Sequence, residues 1–133
     1  MIKVHWRSLP RLHIANYQSL SMSGISRQII FDTKHVGKHL PDTPQMQRLL
    51  NKGRAAHVFN DEATMNRVAQ VIIENGEFIG IIRGYERYGM FFEEAIGYRI
   101  SPDGSRISLY YGEIKIDADN QYHVIPRRRP SEE

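Results

Sequence analysis

Cysteine is absent from the 133 residues, which excludes disulfides, thiol nucleophiles and cysteine-type zinc sites and fits a cytoplasmic setting. No stretch approaches the roughly 18 consecutive apolar residues of a membrane helix. The opening MIKVHWRSLPRLH carries charges where a secretory leader has its apolar region. Neither a membrane partner nor a signal peptide is therefore expected. Nucleophile elbow, Walker loop and dinucleotide fingerprint are all missing, and no internal repeat occurs. Acidic residues are scarce at the start. Residues 1–60 hold nine Lys/Arg against two acids, a balance of +7, while 61–133 hold nine against thirteen, a balance of −4. A basic half points to an anionic partner, with nucleic acid the commonest kind.

What remains is an ordinary globular composition, 41% hydrophobic and 25% charged, in a chain long enough for one domain with a real core. Residues 1–32 read as an N-terminal arm or extension, with 25–32 ambiguous between a helical turn and a short strand. DTPQMQRLLNKG reads as a capped helix: Asp42 or Thr43 at the N-cap, Pro44 at the first position, Gly53 at the end. AAHVF is a strand or extended link. Asn60-Asp61 then cap a second helix whose Met65, Val68, Ala69 and Ile72 recur at helical spacing. From Phe78 onward, segments rich in Ile, Tyr, Phe and Val are joined by Ser101–Gly104 and Asp117–Asn120 turns. The expected fold is α+β, N-terminal helices packed on a C-terminal antiparallel β-meander over 33–127, with 128–133 a flexible tail.

Chemistry concentrates between Lys34 and Arg54, where two histidines (His35, His39) and five cations stand against one acid, Asp42. Imidazole titrates near neutrality and cations stabilise phosphate transition states, so both kinds of group needed for phosphodiester chemistry are close together. The i, i+4 pair His35/His39 has the spacing of a helical metal site. However, Gly37 and Pro41 argue against a helix there, carboxylates are few, and the Glu of H-E-x-x-H is missing. No metal and no cofactor are expected. His57 reads as structural, and His5 and His13 fall in the arm. His123 lies on the last strand beside an Arg-Arg-Arg run and shares a face with Ile125. The tyrosines of the strands (Tyr85, Tyr88, Tyr98, Tyr110, Tyr111, Tyr122) suit a half-buried sheet face better than base stacking. Glu86 and the Glu93-Glu94 pair read as solvated acids.

Lys34-His35-Val36-Gly37-Lys38 before a capped, Arg-bearing helix, then HVFNDEATMNRVAQVIIEN with its Asp-x-Ala-Thr helix start, resembles the RNase A-like toxin domains of bacterial contact-dependent-inhibition and other polymorphic toxins. The likeness covers roughly residues 33–127 and lies in the order of elements more than in one motif. It implies a metal-independent ribonuclease with His35 catalytic and Arg48 assisting. In that family a Thr and a Tyr two residues apart precede a late Pro. Counting back from Pro126 gives His123 and Ile125, so a histidine stands in the Thr position and no Tyr is aligned. Either His123 supplies the second proton-transfer group or the site is inactive. Lys38, Lys34, Tyr122 and Arg127 are the expected substrate-binding residues, RNA (tRNA included) the expected substrate, and a cognate immunity protein the expected partner. The alternatives are a noncatalytic nucleic-acid-binding module and a small protein-interaction domain.

Overall fold

The computed structural model describes residues 23–132. They form a mixed α+β fold with three helical segments and eight strands in two sheets. In chain order these are β1 (Ile30–Phe31), a 3-10 helix (Thr33–His39), α1 (Pro44–Asn51), β2 (Ala56–Phe59), α2 (Glu62–Asn75), β3 (Glu77–Ile82), β4 (Tyr85–Phe91), β5 (Gly97–Ile100), β6 (Arg106–Leu109), β7 (Tyr111–Ile116) and β8 (Gln121–Arg127). One sheet has the order β1-β8-β7-β4-β3 and the other β2-β5-β6. Among the described residues no helix is long and apolar enough to cross a membrane.

The two α-helices form as their end signals dictate. The Thr43 hydroxyl caps α1 by accepting the Met46 N–H (3.1 Å), and Gly53 takes the left-handed conformation past its end. The Asp61 carboxylate caps α2 by accepting the Thr64 N–H at 2.7 Å. Buried residues of α2 pack on one face of the larger sheet, where Met65, Val68 and Ile72 meet Ile114, Ile116, Val124 and Phe92. Each such side chain contributes about 1.5–3 kcal/mol by leaving water. The approach is close because β7 carries Gly112 there; a Cβ at that position would lie 2.7 Å from Val68 Cγ1. A second cluster, Met46 with Ala56, Val58 and Ile100, joins α1 to the smaller sheet.

Four features depart from the sequence reading. The strands after Phe78 do not form one meander, because β5 and β6 make a hairpin that pairs with β2 in the other sheet. RISLYYGEIKI, expected as one strand, breaks at exposed Tyr110, while its neighbours Leu109 and Tyr111 are buried in different sheets. Buried Phe92 anchors the opposite crossing, its N–H donating to the Tyr110 carbonyl. Residues 23–32 belong to the domain: Ile25 N–H bonds the Ile73 carbonyl, and β1 pairs parallel with β8. Residues 1–22 of the expected arm, with His5 and His13, lie outside the described residues.

The fourth departure is the C-terminal tail, which returns to the sheet instead of fraying. Glu113, fully buried on β7, accepts from the Ser131 N–H (3.0 Å), the Ser131 hydroxyl (2.5 Å) and the Arg87 guanidinium (3.2 Å). Arg87 also donates to the Ser131 hydroxyl and to the Ile82 carbonyl. A buried cation stripped of its counter-charge costs about 3–5 kcal/mol. Glu113→Gln is therefore expected to lower the unfolding free energy by about 3 kcal/mol or more. A urea titration checks this, and a loss within about 0.5 kcal/mol, as for an ordinary surface position, would contradict it.

Candidate active site

The KHVGKH segment is helical after all, as a 3-10 helix rather than an α-helix. Asp32 starts it, its carboxylate accepting the Lys34 N–H at 2.9 Å. Gly37 fits because the Gln45 side chain of α1 lies where a Cβ would point, 2.5 Å from it. The Thr43 hydroxyl donates to the Gly37 carbonyl, so the cap of α1 also fastens this turn. With three residues per turn, positions i and i+3 eclipse. Lys38 therefore stands over His35, while His39 falls a third of a turn further round.

His39 is turned inward, its Nδ1–H donating to the His57 carbonyl at 2.8 Å. Burial pushes its pKa down to about 4, so the ring is neutral at physiological pH.

His123 reaches the same place from the far end of the chain. Its ring centroid lies 4.5 Å from that of His35, tilted by 34°, and 6.4 Å from that of His39, nearly parallel at 7°. On β8 its face is shared with Ile125 and Arg127, whereas Val124 and Pro126 turn into the core. The antiparallel ladder sets Lys115 of β7 directly opposite His123, and Arg87 of β4 opposite Lys115. The Lys115 ammonium sits 4.3 Å from the Tyr85 ring centroid, a cation–π contact.

The electrostatics rank the two outer histidines. Burial depresses the His123 pKa first, then His35, Lys115 and His39, bringing it to about 3. His35 is also depressed, by burial and then Lys38, but the Asp32 carboxylate 4.0 Å from its Nε2 opposes this. His35 is thus the group in the pair that takes a proton first. Asp32 itself is held below the usual carboxylate range, chiefly by the Lys34 N–H.

Of the residues expected from sequence, His35, His123 and Lys38 come together. Lys34 is exposed one residue before His35 and adds to the positive field on it. Arg48 is exposed on α1, and the cations that act on the two outer histidines are lysines 34, 38 and 115. Tyr122 lies on the opposite face of β8, packed against Phe31 with ring centroids 5.4 Å apart. Arg127 follows His123 along the same face, its Nε donating to the Arg129 carbonyl at 3.2 Å. Lys115, Asp32 and the wall formed by His39 were not anticipated. Lys115 is the one lysine in the acidic half of the chain, which is a signal the sequence did carry.

Chemically, two imidazoles in contact, one more basic than the other and ringed by ammonium groups, can exchange protons with an anionic substrate. Among the described residues no three His, Cys, Asp or Glu side chains converge as a metal-ligand set. A family model described as Domain of unknown function (DUF6972) matches residues 27–131, and the chain belongs to that family. No curated protein and no solved structure matches it.

Histidines buried neutral make the fold acid-sensitive. Their folded pKa values lie below the unfolded value of about 6.5. As pH falls from about 6.5 toward 4, the unfolded chain takes up protons that folded His39 and His123 refuse, and stability drops. Each group contributes up to about 1.4 kcal/mol per pH unit in that window. His39→Asn keeps a donor for the His57 carbonyl without a titrating ring. It is expected to reduce the pH slope of unfolding free energy by about one proton between roughly pH 6.5 and 4.5. Denaturant titrations at several pH values measure this, and an unaltered slope would place the titration elsewhere.

Proposed function

For this DUF6972 member we propose a metal-independent ribonuclease activity, by 2′-OH transesterification, centred on His35 and His123. The observation that carries the reading is the 4.5 Å approach of these two rings from opposite ends of the chain, with Lys38 and Lys115 beside them. Rings this close are in contact, so a phosphate would bridge their outer edges rather than enter between them.

The roles follow from the unequal basicity of the pair. His123, deeper and opposite Lys115, stays neutral and accepts the proton of the ribose 2′-OH. The 2′-oxygen attacks phosphorus, and the bond to the 5′-oxygen breaks. His35, helped by Asp32, holds the proton that the departing 5′-oxygen takes up. The products are a 2′,3′-cyclic phosphate and a free 5′-OH. Lys38 and Lys115 stabilise the additional negative charge of the phosphorane-like transition state. DNA, lacking the 2′-OH, is not cleaved. On this reading the protein is toxin-like, acts on RNA in the cytoplasm, and is held in check by a cognate inhibitor protein.

Incubation of the purified protein with mixed RNA in EDTA is expected to yield fragments with cyclic-phosphate ends. His35→Ala and His123→Ala should each lower kcat/KM by about 10²–10⁴-fold. Because both histidine pKa values are depressed, the pH profile should peak on the acid side of about 6.5. Full activity in either alanine variant, or no cleavage by the wild type, would end the proposal. RNA binding without cleavage would support a noncatalytic nucleic-acid-binding module instead.

A further inference from the structure

Beyond the histidines, the same face of β8 leads to a cleft of about 270 Å³ lined by His57, Ile125, Arg127, Arg128 and Arg129. Three successive arginines at one mouth are a costly concentration of like charge unless something anionic meets them. The carboxylate beneath them, Glu113, is already committed to Arg87 and Ser131, with Arg127 Nε a further 3.7 Å away. Arg128 and Arg129 are exposed and lie beyond its hydrogen-bond network. His57 on the cleft wall feels this field, its pKa lowered by burial and then by Arg99, Arg127 and Arg128.

The cleft adjoins the histidine cluster through His57. The His57 carbonyl holds His39 in place, and His39 stands beside His123. Along β8 the path runs His123, Ile125, Arg127 on one face, a distance of about 14 Å. One phosphate cannot touch both ends. Between them Ile125 and the His57 ring offer an apolar floor suited to a ribose or base, and the volume is too small for a duplex.

We infer that the arginine cleft at the end of β8 is a second phosphate subsite, which holds a single-stranded RNA beyond its scissile bond. The position of that bond rests on the ribonuclease reading; the binding of the strand does not. The substrate class is then an extended single strand rather than a dinucleotide or a base-paired helix.

The test compares wild type with Arg128→Gln/Arg129→Gln, both exposed positions, using a fluorescein-labelled RNA oligonucleotide and anisotropy across a salt series. Two lost phosphate contacts on a single strand should reduce the slope of log affinity against log salt by about 1.4. For a roughly fourfold rise in salt, that is about sevenfold less weakening than in the wild type. The ratio of kcat/KM for the oligonucleotide to that for a dinucleotide should fall by a similar factor. An unchanged slope and ratio would overturn the subsite while leaving cleavage intact if His35→Ala still abolishes it. A reduced slope in a protein that cleaves nothing would keep the subsite and remove the catalytic reading. No binding even at low salt, or equal binding of duplex RNA, would overturn the subsite.

Discussion

The antiparallel ladder between β7 and β8 divides the molecule into two chemistries. On one face Ile114, Ile116, Val124 and Pro126 close the core under α2; on the other, Lys115 meets His123 and Glu113 lies opposite Ile125. A one-residue slip would exchange these faces and put a lysine and a histidine into the core. The buried residues therefore enforce the register, and the register places the charged groups. Geometry at the site is a by-product of core packing, which is the cheapest way to hold polar side chains in fixed relation.

Two further supports lean on that ladder. Glu113 at its centre collects Arg87 and the returning tail at Ser131, so strands β4, β7 and the C-terminal segment share one buried polar hub. From the other side, the Thr43 hydroxyl ties the KHVGKH turn to the start of α1, and His39 ties it to β2 through the His57 carbonyl. His35 is thus presented by a short 3-10 helix held by these ties near its end and, just before its start, by the Asp32 N–H on the Tyr122 carbonyl.

Much of this architecture could be read from sequence, for definite reasons. The caps of α1 and α2 are local signals, and Thr43, Gly53 and Asp61 stand where the sequence puts them. His35, Lys38 and His123 stood out in the sequence by residue type, although only tertiary structure brings them together. The sheet exchange at Tyr110 was hidden, because Tyr-Tyr in a β-rich run has no local signature of a break. Lys115 was missed through the turn. Asn120 is left-handed (φ 61°), so Asp117 pairs with Gln121 across a three-residue loop. Counting back from that closure sets Lys115 against His123, whereas a four-residue turn spanning Asp117–Asn120 sets Ile116 against Gln121 and spoils the match. The 3-10 helix was rejected on α-helical grounds, since Gly37 and Pro41 oppose thirteen-atom hydrogen-bonded rings but not the tighter kind.

That tighter winding makes the turn a ruler with divisions of three. His35 and Lys38 fall on successive marks, and Asp32, the extended residue that caps the first turn, sets its carboxylate 4.0 Å from the His35 Nε2. Adding or deleting a single residue between His35 and Lys38 would rotate the ammonium by about 120° away from the imidazole, although every residue type would survive. The arrangement of the pair is then a matter of phase, His-x-x-Lys, as much as of composition. A relative with the same residues out of step would keep the fold and lose the alignment.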